Sequence, residues 1–301
     1  MADAEAHAFG VGPFERDTAV HRRRDSEEEP GEASFDANVA DGWRAGRGPH
    51  GGYLAAMLLR ALTEALDDAE RAPRSLTIHY ARAPQPGPVE IATRIERAGR
   101  SLSTMSARME QDGRLMALVL SAFSVPWKGP ELDDLPLPDV EPATPDREAG
   151  TALQFGAPPF TRHLVMQPRF DGRPLTGERR AMELGAWLGL AEPRPIDAPA
   201  LAFFSDALIP SPFMATGEPA AAPTIDLTVH FRTSLPRRGR HGAPAEPIDS
   251  LEPDAHELIY AQVSSKLVHE GFFEEDGVVW AADGTVLAQS RQLAILLPAI
   301  G

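Results

Sequence analysis

Residues 76–80 read LTIHY and residues 227–231 read LTVHF, so one five-residue pattern occurs twice, 151 positions apart. Each copy leads to a proline, Pro84 in the first case and Pro236 in the second. A pattern repeated over such a distance indicates that a whole structural unit is repeated, and a repeat decides the architecture before any single motif does. We therefore predict two homologous halves.

A second pair of segments supports the repeat. Asp112 and Gly113 precede the apolar run RLMALVLSAFSV, and Asp283 and Gly284 precede TVLAQSRQLAIL, 171 positions further on. The spacing has grown by 20 residues relative to the first pair. Residues 236–254, a stretch rich in proline, arginine and glycine, account for the growth as an insertion in the second copy, which we predict to be a surface loop.

Composition limits the classes of protein to which the chain can belong. Its 301 residues are enough for two domains. The net charge of −15 argues against binding of nucleic acid, which needs clustered Lys and Arg. Because the chain has no cysteine, it has neither disulfides nor a thiolate nucleophile, and the reducing cytoplasm is the expected location. No stretch reaches the roughly 18 consecutive apolar residues of a membrane-spanning helix, so neither secretion nor a membrane span is expected.

The boundary between the halves is expected in a segment that is dense in proline and acidic residues. It contains the sequence WKGPELDDLPLPDVEPATPDREAG, whose composition suits an extended linker rather than a helix or strand. We therefore assign residues 1–126 to an N-terminal domain, residues 127–159 to the linker and residues 160–301 to a C-terminal domain.

The predicted helices and strands follow the same order in both halves. Residues 53–66, YLAAMLLRALTEAL, form a helix by propensity, and its first two turns are apolar on every side, so other elements must surround it. Segments typical of strands, separated by turn signals such as PQPGP and QDGR, follow. In the second half, Asp197 and Pro199 mark the start of a helix over APALAFFSDALI, with four strand-like segments after it. Residues 183–190 alternate with the period of a strand.

A buried helix followed by an antiparallel sheet long enough to curl round it describes a hotdog fold. The predicted fold class is therefore α+β, a double hotdog in which two antiparallel sheets each wrap around a central helix.

Polar residues that occur in only one half indicate where function is concentrated. Asp206 interrupts the apolar stretch LAFFSDALIP in the second helix, where the first helix has Ala55. A buried carboxylate at this place is costly without partners. A structural carboxylate that hydrogen-bonds the backbone at a helix bend explains Asp206 as well as a catalytic one, so both interpretations stay open at this point.

Two further residues differ between the halves. Thr224 opens TIDLTVHF, where the first half has Pro73, and Gln292 lies in the last strand, where the first half has Ser121. An Asp, a Thr and a Gln from a helix and two strands can orient one water molecule, with the Asp as general base and without a metal. On β propensity alone, Thr224 is more often an ordinary strand residue. Gln289 competes with Gln292, because an odd spacing puts the two on opposite faces of a strand.

Over nearly its whole length the sequence resembles the acyl-CoA thioesterase II family, the TesB-like double-hotdog enzymes. The segments SDALIP, TIDLTVHFR and DGTVLAQSRQL carry the resemblance. It implies that Asp206 supplies a carboxylate, Thr224 the hydroxyl of the TID motif and Gln292 an amide, which together orient the hydrolytic water in the second half. The resemblance thus implies an acyl-CoA thioesterase of lipid metabolism.

Further residues are expected to hold the substrate, acyl-CoA. Unpaired N–H groups at a helix N-terminus can stabilise an oxyanion, which makes Gly51 and Gly52 candidates if the two halves face each other. Three arginines, Arg237, Arg238 and Arg240, are candidates to bind the CoA phosphates, although a solvated loop also explains these three residues. We expect no cofactor other than the CoA of the substrate and no metal, since no ligand spacing for a metal occurs. Open sheet edges and faces predict a homo-oligomer.

Two alternative functions stay open. A non-catalytic protein that binds acyl-CoA or an acyl carrier would keep the fold and would tolerate loss of Asp206, Thr224 or Gln292. A hotdog hydratase or dehydratase usually relies on an Asp and a His a few residues apart, whereas ALIPSPF follows Asp206. His79 and His230 occupy equivalent places in the repeat, and we interpret them as sheet residues.

Overall fold

The computed structural model describes residues 12–23, 29–144, 157–192, 194–217, 220–235 and 258–298. Three α-helices lie in these ranges: α1 (Pro13–Asp17), α2 (Gly51–Leu66) and α3 (Ala198–Phe204). Short 3-10 segments lie at Asp41–Trp43, Pro159–His163 and Ser211–Met214. The strands of the first half are β1 (Val20–Arg22), β2 (Glu32–Val39), β3 (Arg44–Ala45), β4 (Gly48–Pro49), β5 (Ala72–Tyr80), β6 (Gly87–Ala98), β7 (Leu102–Gln111) and β8 (Arg114–Ser124). Those of the second half are β9 (Leu164–Pro168), β10 (Glu183–Leu190), β11 (Ala220–Ala221), β12 (Thr224–Phe231), β13 (Ile259–Ser264), β14 (Val268–His269), β15 (Phe272–Trp280), β16 (Val286–Ile295) and β17 (Leu297–Pro298).

A 13-stranded antiparallel sheet runs through the described part of both halves. Its order is β1-β2-β6-β7-β8-β5-β12-β16-β15-β13-β10-β9, with β14 added beside β15. The strands β5 and β12 carry the repeated pattern and pair with each other, so that Leu76 lies opposite Val229 and Ile78 opposite Leu227. This corrects the prediction of two separate sheets. Pairing of β5 with β12 closes, over residues 75–79 and 226–230, what would otherwise be two open sheet edges.

Helix α2 is the buried centre of the first half. The helix predicted over residues 53–66 is confirmed and begins two residues earlier, at Gly51. Tyr53, Met57 and Leu62 are fully buried, as expected for turns that are apolar on every side. The helix contacts β2, β5, β6 and β7 on one side and α3 on another. No helix in the described ranges has the length and apolar character to cross a membrane.

Helix α3 is shorter than predicted. Asp197 caps its start by accepting a backbone N–H of the first turn at 2.9 Å, which confirms the predicted start. The helix ends at Phe204, because the N–H groups of Asp206 and Ala207 bond to carbonyl groups three residues earlier and tighten the last turn. Asp206 therefore lies just beyond the helix, not inside it as the sequence indicated.

The described part of the predicted linker, residues 127–144, contains no helix or strand but packs against the second half. The indole N–H groups of Trp187 and Trp280 donate to the backbone oxygens of Glu141 and Leu135, at 2.9 and 3.0 Å. Several apolar side chains of this segment cover the cluster formed by these two tryptophans and their neighbours. This part of the linker is thus a layer over β10, β13 and β15.

Candidate active site

Asp206 lies where the end of α3 meets the start of α2. Its side chain is 13% exposed, and its Oδ2 accepts the backbone N–H of Gly52 at 2.8 Å. Burial raises the pKa of Asp206 to about 7, and the hydrogen bond from Gly52 offsets only part of that effect. A carboxyl group with this pKa gains and loses its proton near neutral pH, as a general base must.

His50 holds Asp206 from the first half of the chain, and the sequence did not single it out. Its Nε2 lies 2.9 Å from the backbone oxygen of Asp206 and 3.7 Å from Oδ2. Its Nδ1 accepts the N–H of Tyr53 and so caps α2, which places the ring proton on Nε2, where it is donated to Asp206. Burial lowers the pKa of His50 to about 4, so the ring is neutral at pH 7. The available signal was its place directly before two glycines at a helix start.

Tyr80, at the end of β5, lies on the other side of the same glycines. Its hydroxyl donates to the carbonyl of Gly51 at 2.9 Å. Burial, together with the charge of Asp206, raises the pKa of Tyr80 well above its ordinary value. A Cβ on Gly51 would lie 2.8 Å from the Oδ2 of Asp206, so a larger residue at this position would have to displace the carboxylate. The first half thus contributes to a site that the sequence placed in the second half.

Thr224 and Gln292 belong to a second hydrogen-bonded group. The Oγ1 of Thr224 donates to the Oε1 of Gln292 at 2.8 Å, and the Nε2 of Gln292 donates to the Oε1 of Glu275 at 2.7 Å. The Oε2 of Glu275 accepts the N–H of Ser211 at 2.6 Å. Gln292 and Glu275 are buried, with 8% and 3% of their surface exposed. Gln292, rather than Gln289, is therefore the glutamine that contacts Thr224.

A β-bulge explains how Thr224 reaches Gln292. Gln292 lies opposite the buried Leu227 and shares its inward face. Strict alternation back from Leu227 would turn Thr224 outward. The register instead shifts between Thr224 and Asp226, so that Thr224 lies opposite the buried Ala294. The extra residue of the bulge brings the threonine to the inner face.

The two groups adjoin, although among the described residues no hydrogen bond joins Asp206 to Thr224 or Gln292. Burial raises the pKa of Glu275, and the charge of Asp206 raises it further, so the two carboxyl groups are near enough to interact. A serine of β16, two residues before Gln292, donates to the backbone oxygen just before Asp206 at 3.4 Å. The roles predicted for the Asp, the Thr and the Gln stay predictions.

The two glycines predicted to stabilise an oxyanion differ in their hydrogen bonds. The first N–H groups of a helix have no partner within the helix. In α2, the N–H of Gly52 donates to Asp206 and the N–H of Tyr53 donates to His50. Because the N–H of Gly52 is already used, the N–H of Gly51 is the better of the two candidates to bind an oxyanion. Its role stays a prediction.

Three residues predicted to bind CoA phosphates, Arg237, Arg238 and Arg240, lie outside the described residues, so their role also stays a prediction. Within the described ranges, no cluster of three or more His, Asp or Glu side chains is arranged to hold a metal ion.

Family models of acyl-CoA thioesterases match the chain in two places. The model of the acyl-CoA thioesterase N-terminal domain matches residues 39–125, and the model of the C-terminal domain matches residues 133–296. The chain belongs to the acyl-CoA thioesterase family. In this family member, the second match includes the described linker residues that pack over β10, β13 and β15.

Solved structures share the fold of this thioesterase family member. A protein of unknown function with a hotdog fold from Alicyclobacillus acidocaldarius has a TM-score of 0.71 at 22% identity, over 97% of this chain and 100% of that chain. A candidate thioesterase II from Thermobifida fusca has a TM-score of 0.72 at 24% identity, over 95% and 99%. An acyl-CoA thioesterase II from Mycobacterium marinum has a TM-score of 0.67 at 16% identity, over 96% and 98%. At these identities the likeness shows the hotdog fold alone. No curated protein matches the chain.

Proposed function

We propose that the chain hydrolyses acyl-CoA to a free acid and CoA, on a double-hotdog scaffold whose halves derive from an internal repeat. The observation that carries the proposal is the environment of Asp206. This carboxyl group is buried between the two halves, has a pKa of about 7, and is near enough to the polar group of Thr224, Gln292 and Glu275 for its charge to raise the pKa of Glu275. Membership of the acyl-CoA thioesterase family supports acyl-CoA as the substrate.

In the proposed reaction, water attacks the carbonyl carbon of the thioester. Asp206 accepts a proton from this water as the new C–O bond forms, while Thr224 and Gln292 hold the water in place. The N–H of Gly51, at the positive end of α2, stabilises the oxyanion of the tetrahedral intermediate. The C–S bond then breaks, and Asp206 returns its proton to the sulfur of CoA. The products are one carboxylic acid and one thiol.

The proposal is tested by incubating the purified protein with a chain-length panel of acyl-CoA substrates and measuring free thiol. Thiol release supports hydrolysis. Saturable binding of acyl-CoA without thiol release would indicate the non-catalytic alternative. A 2-enoyl-CoA in the same panel tests the hydratase alternative, for which His50 now supplies a histidine beside Asp206. Both ring nitrogens of that histidine are engaged in hydrogen bonds with the backbone, which favours hydrolysis.

Thr224→Val is expected to lower kcat on the order of 100-fold, because it removes the hydroxyl that holds the water and keeps the shape of the side chain. Thr228→Val is the matched control. Thr228 lies on the same strand, and its hydroxyl pairs with that of Thr77 at 3.1 Å instead of with Gln292. Steady-state kinetics of both variants decide the matter. Equal losses in the two variants would remove Thr224 from the proposed mechanism.

The rate is expected to rise with pH, with half of the maximal kcat near pH 7, because Asp206 acts as a base only when ionised. One pH unit below this pKa, kcat should be about tenfold below its plateau. Two titratable groups around Asp206 do not change their charge in this pH range. His50 is neutral above a pKa of about 4, and the pKa of Tyr80 lies well above its ordinary value. Glu275, with a raised pKa, ionises in the same direction. A profile of kcat that falls through neutral pH would contradict the assignment of Asp206 as base.

We also propose that the protein is a cytoplasmic homo-oligomer. The lack of cysteine suits a reducing compartment. Leu118 and Leu120 on the outer face of β8 are 43% and 58% exposed, and exposed leucines on an open sheet face suit self-association.

A further inference from the structure

Glu275 is a buried carboxylate that the proposed reaction does not use. It lies on β15 in the sequence EED, where its neighbours Glu274 and Asp276 turn toward the solvent side and Glu275 turns inward with 3% of its surface exposed. Burial of a carboxylate is costly unless hydrogen bonds compensate for it. Here the donors are the side chain of Gln292 and both the backbone N–H and the hydroxyl of Ser211. This buried carboxylate is thus in direct contact with Gln292, one of the predicted site residues.

An ionised carboxylate can only accept hydrogen bonds, and this fixes the direction of the whole group. Gln292 must turn its NH2 toward Glu275, so its carbonyl oxygen faces Thr224. Thr224 must then donate its hydroxyl proton to Gln292, which leaves the oxygen lone pairs of Thr224 free to accept. The second N–H of the Gln292 amide stays available as a donor.

We propose that Glu275 is a positioning residue, which sets the amide of Gln292 and the hydroxyl of Thr224 so that the reacting water meets one acceptor and one donor. The inference rests on the proposed hydrolysis of acyl-CoA. Glu275 does not touch the substrate in this account. It acts through Gln292, and its effect is on the orientation of the water.

Glu275→Gln separates this role from a purely structural one, because the two side chains have nearly the same shape. The backbone N–H of Ser211 is a fixed donor, so the introduced amide must offer its oxygen there and turn its NH2 toward Gln292. Gln292 must then flip and present its own NH2 to Thr224. The hydroxyl oxygen of Thr224 then uses one of its two lone pairs to accept from Gln292, and its O–H, released from Gln292, is free to donate to the water, so the water meets a donor where it met an acceptor.

Glu275→Gln is expected to lower kcat on the order of 100-fold, with KM for acyl-CoA changed less than about threefold. The matched control is Glu274→Gln on the same strand, since Glu274 also accepts a backbone N–H, that of Lys266 at 2.7 Å, but on the exposed side. The control should keep wild-type kcat. A Glu275→Gln variant that also keeps wild-type kcat would overturn the positioning role and leave the proposed hydrolysis intact.

The exchange variant Glu275→Gln with Gln292→Glu gives a second test. It places the carboxylate beside Thr224, so that Thr224 again donates its proton and frees its oxygen. We expect kcat of the double variant to be about tenfold higher than that of Glu275→Gln. It should stay below the wild-type value, because a carboxylate at position 292 has no N–H to donate to the water. A double variant no better than the single one would count against control of the Thr224 hydroxyl by Glu275.

A readout that is independent of turnover distinguishes failure of this inference from failure of the proposed function. In 15N-labelled protein, the side-chain amide protons of Gln292, assigned by their loss in Gln292→Glu, should shift in Glu275→Gln. If the Gln292 amide protons shift in Glu275→Gln and the wild-type protein releases no thiol, the positioning role is supported and the proposed hydrolysis is contradicted. Unchanged amide resonances would contradict the positioning role, whatever the activity.

Discussion

Asp206→Asn is expected to lower kcat for acyl-CoA hydrolysis by about 100- to 10,000-fold, the range that a well-placed general base contributes. The amide has nearly the shape of the carboxylate, and its oxygen can still accept the N–H of Gly52. It cannot take a proton from water at neutral pH. Binding of acyl-CoA should therefore persist in the variant, and isothermal titration beside the thiol assay checks both statements. Unchanged turnover would remove Asp206 from the mechanism.

The same substitution should make the folded protein more stable above pH 7. Burial raises the pKa of Asp206 from 3.8 to about 7, so the folded state holds this proton more tightly than the unfolded chain does. The stabilisation of the fold by this tighter proton binding is fully present below the pKa of the unfolded chain. It is lost as the pH rises through the pKa of the folded protein. Above it, the buried charge costs at most roughly 4 kcal/mol relative to a neutral group.

Denaturant unfolding at pH 4 and at pH 8 measures this effect. Asp206→Asn should change the free energy of unfolding little at pH 4, where both side chains are neutral in the folded state, and should raise it at pH 8. Asp276→Asn, at an exposed position paired with Arg291, serves as the control and should show no such difference. Equal effects of Asp206→Asn at both pH values would mean that ionisation of Asp206 does not destabilise the folded protein. A residue that weakens the fold and is needed for turnover is what a catalytic carboxylate should be.

Asp206, Thr224 and Gln292 could be found from the sequence because each is polar where the other half has a smaller or apolar residue. His50 and Glu275 could not be found in this way. His50 contacts Asp206 only because the start of α2 meets the end of α3, a contact between residues 156 positions apart. Glu275 stands in a run of three acidic residues, which composition alone assigns to a solvated face.

The limits of periodicity appear most clearly in the second half. The strand over residues 183–190 follows from alternation, and it is confirmed. Alternation fails at Thr224, because the bulge adds one residue that no period of two can show. Propensity likewise extends α3 beyond Phe204, whereas the N–H groups of Asp206 and Ala207 bond to carbonyl groups three residues earlier, so the last turn tightens and the helix ends there. The departures from local rules thus fall at the candidate site, where function competes with regular structure.

Gly52→Ala should reverse the usual effect of placing alanine in a helix. By propensity alone, alanine stabilises a helix interior by about 1 kcal/mol relative to glycine. A Cβ on Gly52, however, would lie 2.6 Å from the backbone oxygen of Phe203 and 3.1 Å from the Cβ of Asp206. Neither group is the far end of a flexible side chain, so α2 and α3 must move apart. We expect a net loss of stability of about 1 to 3 kcal/mol, the range for overpacked sites.

The displacement in Gly52→Ala should also change the chemistry in a definite direction. The N–H of Gly52 lowers the pKa of Asp206, so weakening this hydrogen bond should raise that pKa above about 7 and move the rise of kcat to higher pH. Gly129→Ala is the control, since no atom lies within 4 Å of a Cβ at Gly129 and neither stability nor the pH profile should change. Chemical denaturation and kcat measured from pH 6 to pH 9 test both expectations. A variant that loses stability but keeps the wild-type midpoint would show that the contact between α2 and α3 supports the fold without setting the proton affinity of Asp206.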